Sequence, residues 1–302
     1  MIYLRLIRWP NVLLTIITQV VIVYWYFPST AAVKGLETWQ EILLILATAL
    51  LTASGNVIND IYDVATDVIN KPDQVIVGKS ITEKRAFTIY IFLTSTAIAC
   101  GFILANSIQK PSLAGLFIGV AFLLYTYATT LKSILIVGNI VISFLVGSVV
   151  LITALFELFP AVTALNRATQ LSALQHLAVF ALFAFLVNLL REWIKDCQDV
   201  KGDHASGRSS LPIVLGNKRA VQFMAIYTLV CVVILGYLAT FELYKDQRSL
   251  YYILFLIVAP LLFVGLRLFT ASTLKEFKVL SLVCKLVLLF GVLGMGIIKF
   301  EV

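Results

Sequence analysis

Charge is what this sequence has least of. Asp, Glu, Lys and Arg make up 13% of its 302 residues, against 61% hydrophobic residues, whereas an ordinary soluble domain carries about a quarter charged residues. That scarcity excludes a water-soluble globular chain. Histidine occurs only twice, as His176 and His204, so no histidine metal set is available and each reads as an incidental structural residue. The four cysteines, Cys100, Cys197, Cys231 and Cys284, have no paired spacing, and three fall inside apolar runs, which excludes a disulfide framework or a zinc site. The net charge of +7 comes without any basic stretch interleaved with aromatics, so nucleic acid is not an expected partner. The first apolar run lacks a small-residue cleavage site and opens on Pro10 and Asn11. It reads as mature structure and not as a signal peptide.

Long hydrophobic runs are what the sequence has in abundance. They lie near 11–28, 39–59, 86–105, 112–131, 134–156, 171–190, 220–241, 250–270 and 279–300, each close to the roughly 20 residues needed to cross about 30 Å of hydrocarbon. The expected fold is an all-α polytopic membrane protein, with nine transmembrane helices around a central cavity and a cytoplasmic cap. Cytoplasmic loops of such proteins carry the excess of Lys and Arg. An amino terminus in the cytoplasm puts Arg5, Arg8, Lys71 to Arg85, Lys132, Arg191 to Arg219 and Arg267 to Lys285 on that side, 17 of the 23 basic residues. Lys34, Lys110, Arg167, Lys245, Arg248 and Lys299 are left on the other. Nine spans then send the carboxyl terminus to the opposite face.

Most connections are short, but 60–85 and 191–219 are long, polar and acidic, and on this topology both are cytoplasmic. They repeat one another. Asn59-Asp60-Ile61-Tyr62-Asp63-Val64-Ala65-Thr66-Asp67 carries its aspartates at the spacing of Lys195-Asp196-Cys197-Gln198-Asp199-Val200-Lys201-Gly202-Asp203. Val75-Ile76-Val77-Gly78-Lys79 is echoed, with small gaps, by Pro212-Ile213-Val214-Leu215-Gly216-Asn217-Lys218. Residues 1–302 are therefore expected to form one domain built on two related units, 39–105 and 171–241, in a parallel repeat with the ligand between them.

Positions i, i+3 and i+7 lie within about 60° on a helix, so a helix running past Asp60 would gather each set of aspartates into one acidic stripe. Carboxylates that close repel unless cations stand between them, and oxygen donors without His or Cys suit Mg²⁺. Mg²⁺ is commonly shared between a carboxylate or two and a substrate phosphate, so two stripes read as a clamp for a metal-bridged diphosphate. Six carboxylates, roughly two Mg²⁺ and a diphosphate leave a negative balance that Lys71, Lys132, Arg191, Lys195, Lys201 and Arg208 could offset. A lone D-x-x-D is usually a solvated cap; its doubling at identical spacing is what argues for function.

At these residues the chain resembles the UbiA superfamily of membrane prenyltransferases. Its N-D-x-x-D-x-x-x-D signature is matched by Asn59, Asp60, Asp63 and Asp67, and its D-x-x-x-D by Asp199 and Asp203. Tyr125-Thr126-Tyr127-Ala128-Thr129-Thr130-Leu131-Lys132, followed by Gly138-Asn139, resembles the family's tyrosine and L-K segment. The resemblance implies that an isoprenyl diphosphate is held by Mg²⁺, ionises to an allylic cation and is captured by a lipophilic nucleophile in the membrane. It assigns metal ligation to Asp60, Asp63, Asp67, Asp199 and Asp203, with Asn59 and Asp196 completing the catalytic set. Lys71, Lys132, Arg191, Lys195 and Arg208 are the expected diphosphate binders. Tyr62, Tyr125 and Tyr127 are candidates to line the chain and its cation, and Asn56 to orient the first motif. Arg191-Glu192 through Lys195-Asp196 to Asp199 and Asp203 is similar to the R-E-x-x-K-D-x-x-D-x-x-G-D form of the geranylgeranylglyceryl-phosphate branch, which points to a prenylglyceryl phosphate acceptor. An aromatic quinone precursor as acceptor, a terpene cyclase and a Mg²⁺ transporter are the competing readings.

Overall fold

A computed structural model describes residues 1–242 and 246–298; Lys245, Lys299 and the carboxyl-terminal residue, which the charge count assigned to the outer face, lie outside them. The described residues fold as helices: α1 (Ile2–Leu6), α2 (Trp9–Val21), α3 (Thr38–Tyr62), α4 (Val64–Asn70), α5 (Glu83–Ser107), α6 (Ala114–Thr129), α7 (Val137–Leu158), α8 (Arg167–Ala205), α9 (Leu211–Leu215), α10 (Asn217–Glu242), α11 (Gln247–Ile253), α12 (Ala259–Leu268) and α13 (Leu274–Gly294). A π-helical turn, Ile22–Tyr26, extends α2, and another, Leu254–Val258, joins α11 to α12. Nine stretches among the described residues are long and apolar enough to cross a bilayer, from Trp9–Ser29 to Leu274–Gly294. The nine expected runs fall on them one for one. The protein is an integral, multi-pass membrane protein.

Local sequence explains where helices begin. Glu37 and Gln40 form a capping box at the start of α3, and Thr273 and Glu276 another at α13; Thr82 caps α5 by accepting from the Arg85 amide. Such side chains satisfy amides that have no partner in the first helical turn. Large apolar side chains point outward along the spans, Phe92, Phe122, Val233 and Phe255 among them, as lipid-facing positions require.

The chain divides into two compact units, residues 1–132 with 148–174, and 133–147 with 175–302. The first buries Leu44, Ala47, Leu51, Leu104, Phe117 and Phe156, with a satellite of Leu6, Val57, Ile58, Val77 and Ile81 beneath the first acidic segment. Polar residues within this unit are tied to one another: Gln19 donates to Thr153 at 3.1 Å, and Glu41 accepts from Tyr24 at 2.6 Å and Lys34 at 2.7 Å. Groups removed from water must find such partners. The second unit buries Leu190, Trp193, Ile194, Met224, Leu261, Phe277, Leu280 and Val287. There the Trp193 ring meets Tyr227 and Phe223 edge-on, with centroids 5.0 and 5.3 Å apart. One aspartate motif belongs to each unit. In the connection that follows each motif, a glycine takes a left-handed backbone, Gly78 at φ 83° and Gly216 at φ 78°, which is accessible to glycine without the steric cost that a side chain adds.

Candidate active site

The first motif lies where α3 ends. The helix does not run unbroken past Asp60: it stops at Tyr62, Asp63 takes φ −93° and ψ −3°, and α4 resumes at Val64. The hydrogen bonds from the Asp63 amide to the Asn59 carbonyl and from the Asp67 amide to the Asp63 carbonyl, 2.9 and 2.8 Å, carry the helical spiral through the break. The stripe survives with a joint in its middle.

Cations and an amide hold this motif. Lys132 is ion-paired and hydrogen-bonded to Asp63, and also donates to the Asn59 side-chain oxygen at 2.9 Å. The Asn59 amide in turn donates to Asp63 at 2.6 Å, closing a triangle of three side chains. On the other side Arg8 donates to Asp60 at 2.5 Å. Arg8 sits in the left-handed region, φ 49° and ψ 58°, between α1 and α2, a conformation costing roughly 1–2 kcal/mol in a residue with a side chain. Asn56, expected to orient the first motif, donates to the Ile7 carbonyl at 2.9 Å and so pins the elbow that presents Arg8. Burial works against the Arg8 charge, but the carboxylates of Asp60, Asp63 and Asp67 outweigh it and raise its pKa. Asp67 is pushed up, first by burial and then by the Asp63 charge, with Lys71, Arg8 and Lys132 acting in the opposite direction. Lys71 thus stands within electrostatic reach of the motif.

The aromatic candidates separate. Tyr62 and Tyr125 meet edge-to-face with centroids 6.5 Å apart, and Phe87 joins them 6.3 Å from Tyr62. Tyr127 follows Tyr125 by two residues on α6, which turns it about 200° around the helix, away from that cluster.

The second motif is on an unbroken helix. α8 runs for 39 residues, about 58 Å, or nearly twice the hydrocarbon thickness, so its acidic end extends past a single crossing. Asn139 of α7 donates to Asp196 at 3.1 Å. Asp203 is buried and pairs with Arg208 at 3.7 Å. Lys195 and Arg191, expected at the diphosphate, are directed to Glu192: Lys195 reaches both its oxygens at 2.8 and 2.9 Å, and Arg191 one of them at 3.3 Å. Four residues near the motifs have contacts or neighbours that the sequence did not reveal: Arg8, Asn139, Glu192 and Lys285. Asn139 and Glu192 carried a signal, as part of the Gly138-Asn139 pair and of the Arg191-Glu192 segment.

No three His, Cys, Asp or Glu side chains among the described residues are drawn into a ready metal cluster. The donors nonetheless fit Mg²⁺ in kind. Each motif offers hard carboxylate oxygens, with Asn59 beside the first, and cations already neutralise part of each, as expected where a divalent ion would add to the same balance. Asp60, Asp63 and Asp67 are the residues of the first unit that would hold such an ion, and Asp199 and Asp203 those of the second.

Nine membrane-spanning helices among the described residues and two acidic, oxygen-donor motifs define a polytopic membrane protein with a hard-cation donor set in each unit. The chain belongs to the UbiA prenyltransferase family, whose model matches residues 19–289. It is 33% identical over 206 residues, 68% of each chain, to digeranylgeranylglyceryl phosphate synthase of Thermococcus kodakarensis. A solved structure concerning digeranylgeranylglyceryl phosphate synthase in membranes shares the fold, with a TM-score of 0.62 at 23% identity over 98% of both chains. So does a UbiA homolog from Archaeoglobus fulgidus bound to DMAPP and Mg²⁺, with a TM-score of 0.60 at 18% identity over 97% of this chain and 99% of that one.

The triangle at Asp63 makes a prediction about the protein without metal. Lys132→Met removes the ammonium bonded to a buried carboxylate and is expected to cost about 3 kcal/mol. Thermal unfolding in Mg²⁺-free detergent should show the loss, and adding Asp63→Asn should restore most of it. A single variant that melts with the wild type would contradict the role given to Lys132.

Proposed function

We propose that this protein transfers an isoprenyl group from an isoprenyl diphosphate, carried with Mg²⁺, to the free hydroxyl of a prenylglyceryl phosphate in the membrane. The observation that carries the donor half is the first motif: Asp60, Asp63 and Asp67, with Asn59, gathered among Arg8, Lys71 and Lys132. That set of hard oxygens and cations suits a metal-bound diphosphate better than either alone. The Mg²⁺ and DMAPP bound to the Archaeoglobus homolog support the same donor class. The name of the Thermococcus relative supports the acceptor.

Bound Mg²⁺ neutralises the charge that collects on the diphosphate as the allylic C–O bond breaks. The chain's own residues do the rest. Asp60, Asp63 and Asp67 in the first motif and Asp199 and Asp203 in the second would hold the metal, while Asp196 is oriented by Asn139. Lys71, Lys132 and Arg208, which neutralise carboxylates of the two motifs, would answer the leaving-group charge with metal bound. Lys195, one turn before Asp199 on α8, adds positive charge. Tyr62 and Tyr125 offer π faces to the prenyl chain and its cation, and Tyr127 lines another part of the path. The acceptor oxygen bonds to the allylic carbon as the diphosphate departs, and the hydroxyl proton passes to an oxygen of that departing diphosphate.

We place the amino terminus and both aspartate loops in the cytoplasm, the loops forming the cap of that face, and the carboxyl terminus opposite; the skewed distribution of Lys and Arg supports this. Single cysteines at Lys79 and Ser206 should react with an impermeant reagent from the same, cytoplasmic side, and labelling from opposite sides would overturn the topology.

The acceptor is tested by competition. A geranylgeranylglyceryl phosphate and an aromatic acid, 4-hydroxybenzoate or a dihydroxynaphthoate, are offered together with one labelled geranylgeranyl diphosphate, and products are resolved by mass. Label is expected in the phosphorylated lipid. Label only in the aromatic compound would refute the acceptor and leave the donor reading standing, whereas label in a hydrocarbon or alcohol would point to a cyclase.

A further inference from the structure

Lys285 has no part in the donor site, yet it interrupts α13, a helix long and apolar enough to span the membrane. An ionisable side chain in such a helix marks a functional site by default. The charge count assigned it to the inner face as a topological anchor, but it lies eleven residues into the helix, about 16 Å from the first turn.

Its neighbour is Arg191. Helices α8 and α13 run antiparallel in close contact within the second unit. Gln198 of α8 donates to the Phe277 carbonyl of α13 at 3.2 Å. Toward the other end, Phe183 packs against Gly291 so closely that a Cβ there would stand 2.2 Å from the ring. Between these fixed points Arg191 falls level with Cys284 and Lys285, and its guanidinium acts electrostatically on both. Two cations on facing helices therefore stand together.

The acid available to them is already committed. Glu192 gives both its oxygens to Lys195, and Arg191 shares one of them through a single Nη1 bond at 3.3 Å. The Arg191 Nε is buried and finds no acceptor. Arg191 and Lys285 thus carry two positive charges beside a carboxylate that Lys195 already engages through both oxygens, with a guanidinium N–H donor left over. An anion of nearly two charges with several acceptor oxygens, which describes a phosphate monoester near neutral pH, balances the set.

We infer that Arg191 and Lys285 bind the phosphate of the acceptor, an inference that rests on the prenylglyceryl phosphate reading above. Position separates this anion from the donor. Arg191 lies eight residues before Asp199, about 12 Å along α8, too far for one diphosphate tied to Asp199 and Asp203 to need it. A glyceryl phosphate held at Arg191 has its free hydroxyl within a few bonds of the phosphate, and that hydroxyl is the group that must reach the donor carbon. The pair would then select acceptors that carry a phosphate, and Lys285 becomes a specificity residue.

Steady-state kinetics of the purified full chain, with geranylgeranyl diphosphate as donor, test this with two acceptors, geranylgeranylglyceryl phosphate and the same lipid without its phosphate. Lys285→Gln is expected to raise KM for the phosphorylated acceptor at least tenfold while KM for the donor and turnover of the dephosphorylated lipid stay within about twofold, and Lys285→Arg should recover most of the loss. Retained turnover of the dephosphorylated lipid is the control for folding. If Lys285→Gln raises the donor KM instead, or moves neither, the inference is overturned. Inhibition of the wild type by phosphatidate that the variant escapes, with its acceptor KM unmoved, would mark a site for bulk lipid headgroups and overturn it too. A wild type that does not turn over the phosphorylated lipid at all refutes the acceptor reading itself, a result distinct from an unmoved KM in the variant.

Discussion

Carboxylates gathered at the end of a membrane helix repel one another, and they remain charged only where cations stand among them. In the first motif these are Lys132 on Asp63, Arg8 on Asp60 and Lys71 near Asp67. Much else in this unit serves that balance. The left-handed elbow at Arg8, the Asn56 bond that pins it and the Asn59 bridge between Lys132 and Asp63 are all means of holding positive charge or a donor against an acid. Removing a partner from such a set leaves a charge without compensation, which costs more than the intact pair contributes. The same balance suits a metal-bound anion: with a divalent cation on the carboxylates, Lys and Arg would be left to the anion.

The two motifs share a spacing but not a construction. Asp60, Asp63 and Asp67 straddle the break between α3 and α4, whereas Asp196, Asp199 and Asp203 ride on one continuous helix. Their partners differ accordingly. The first is held by residues distant in sequence, Arg8 and Lys132. The second is flanked by Glu192, Lys195 and Arg208 of its own segment, with Asn139 as the distant partner. A jointed motif can adjust the angle between its carboxylates, and a continuous helix presents them at fixed intervals.

The spans were legible because hydropathy and length decide what crosses a bilayer, and the doubled aspartates because an identical spacing of 136 residues for three acids is easily seen in the sequence. What could not be read were contacts made by folding. Arg8 meets Asp60 across 52 residues and only because a left-handed residue turns the chain there, a conformation that an Arg-Trp-Pro sequence does not announce. Lys132 was identifiable as a cation near the site, but its bonds to Asp63 and Asn59 depend on the packing of α6 and the turn after it against α3. Asn56, three residues before Asn59, looked like a partner of the acids and is a backbone tether instead. Lys285 was counted with the anchoring charges because nothing in the sequence reveals that α13 pairs it with Arg191, 94 residues earlier.

The central claim is that the aspartate motifs bind diphosphate through Mg²⁺, and calorimetric titration of the purified protein with inorganic diphosphate tests it most directly. Binding should require Mg²⁺ with a stoichiometry of one, and Asp63→Asn and Asp199→Asn should each weaken it at least tenfold, or about 1.4 kcal/mol. Binding that persists without Mg²⁺, or that survives at wild-type strength in either variant, would contradict the account.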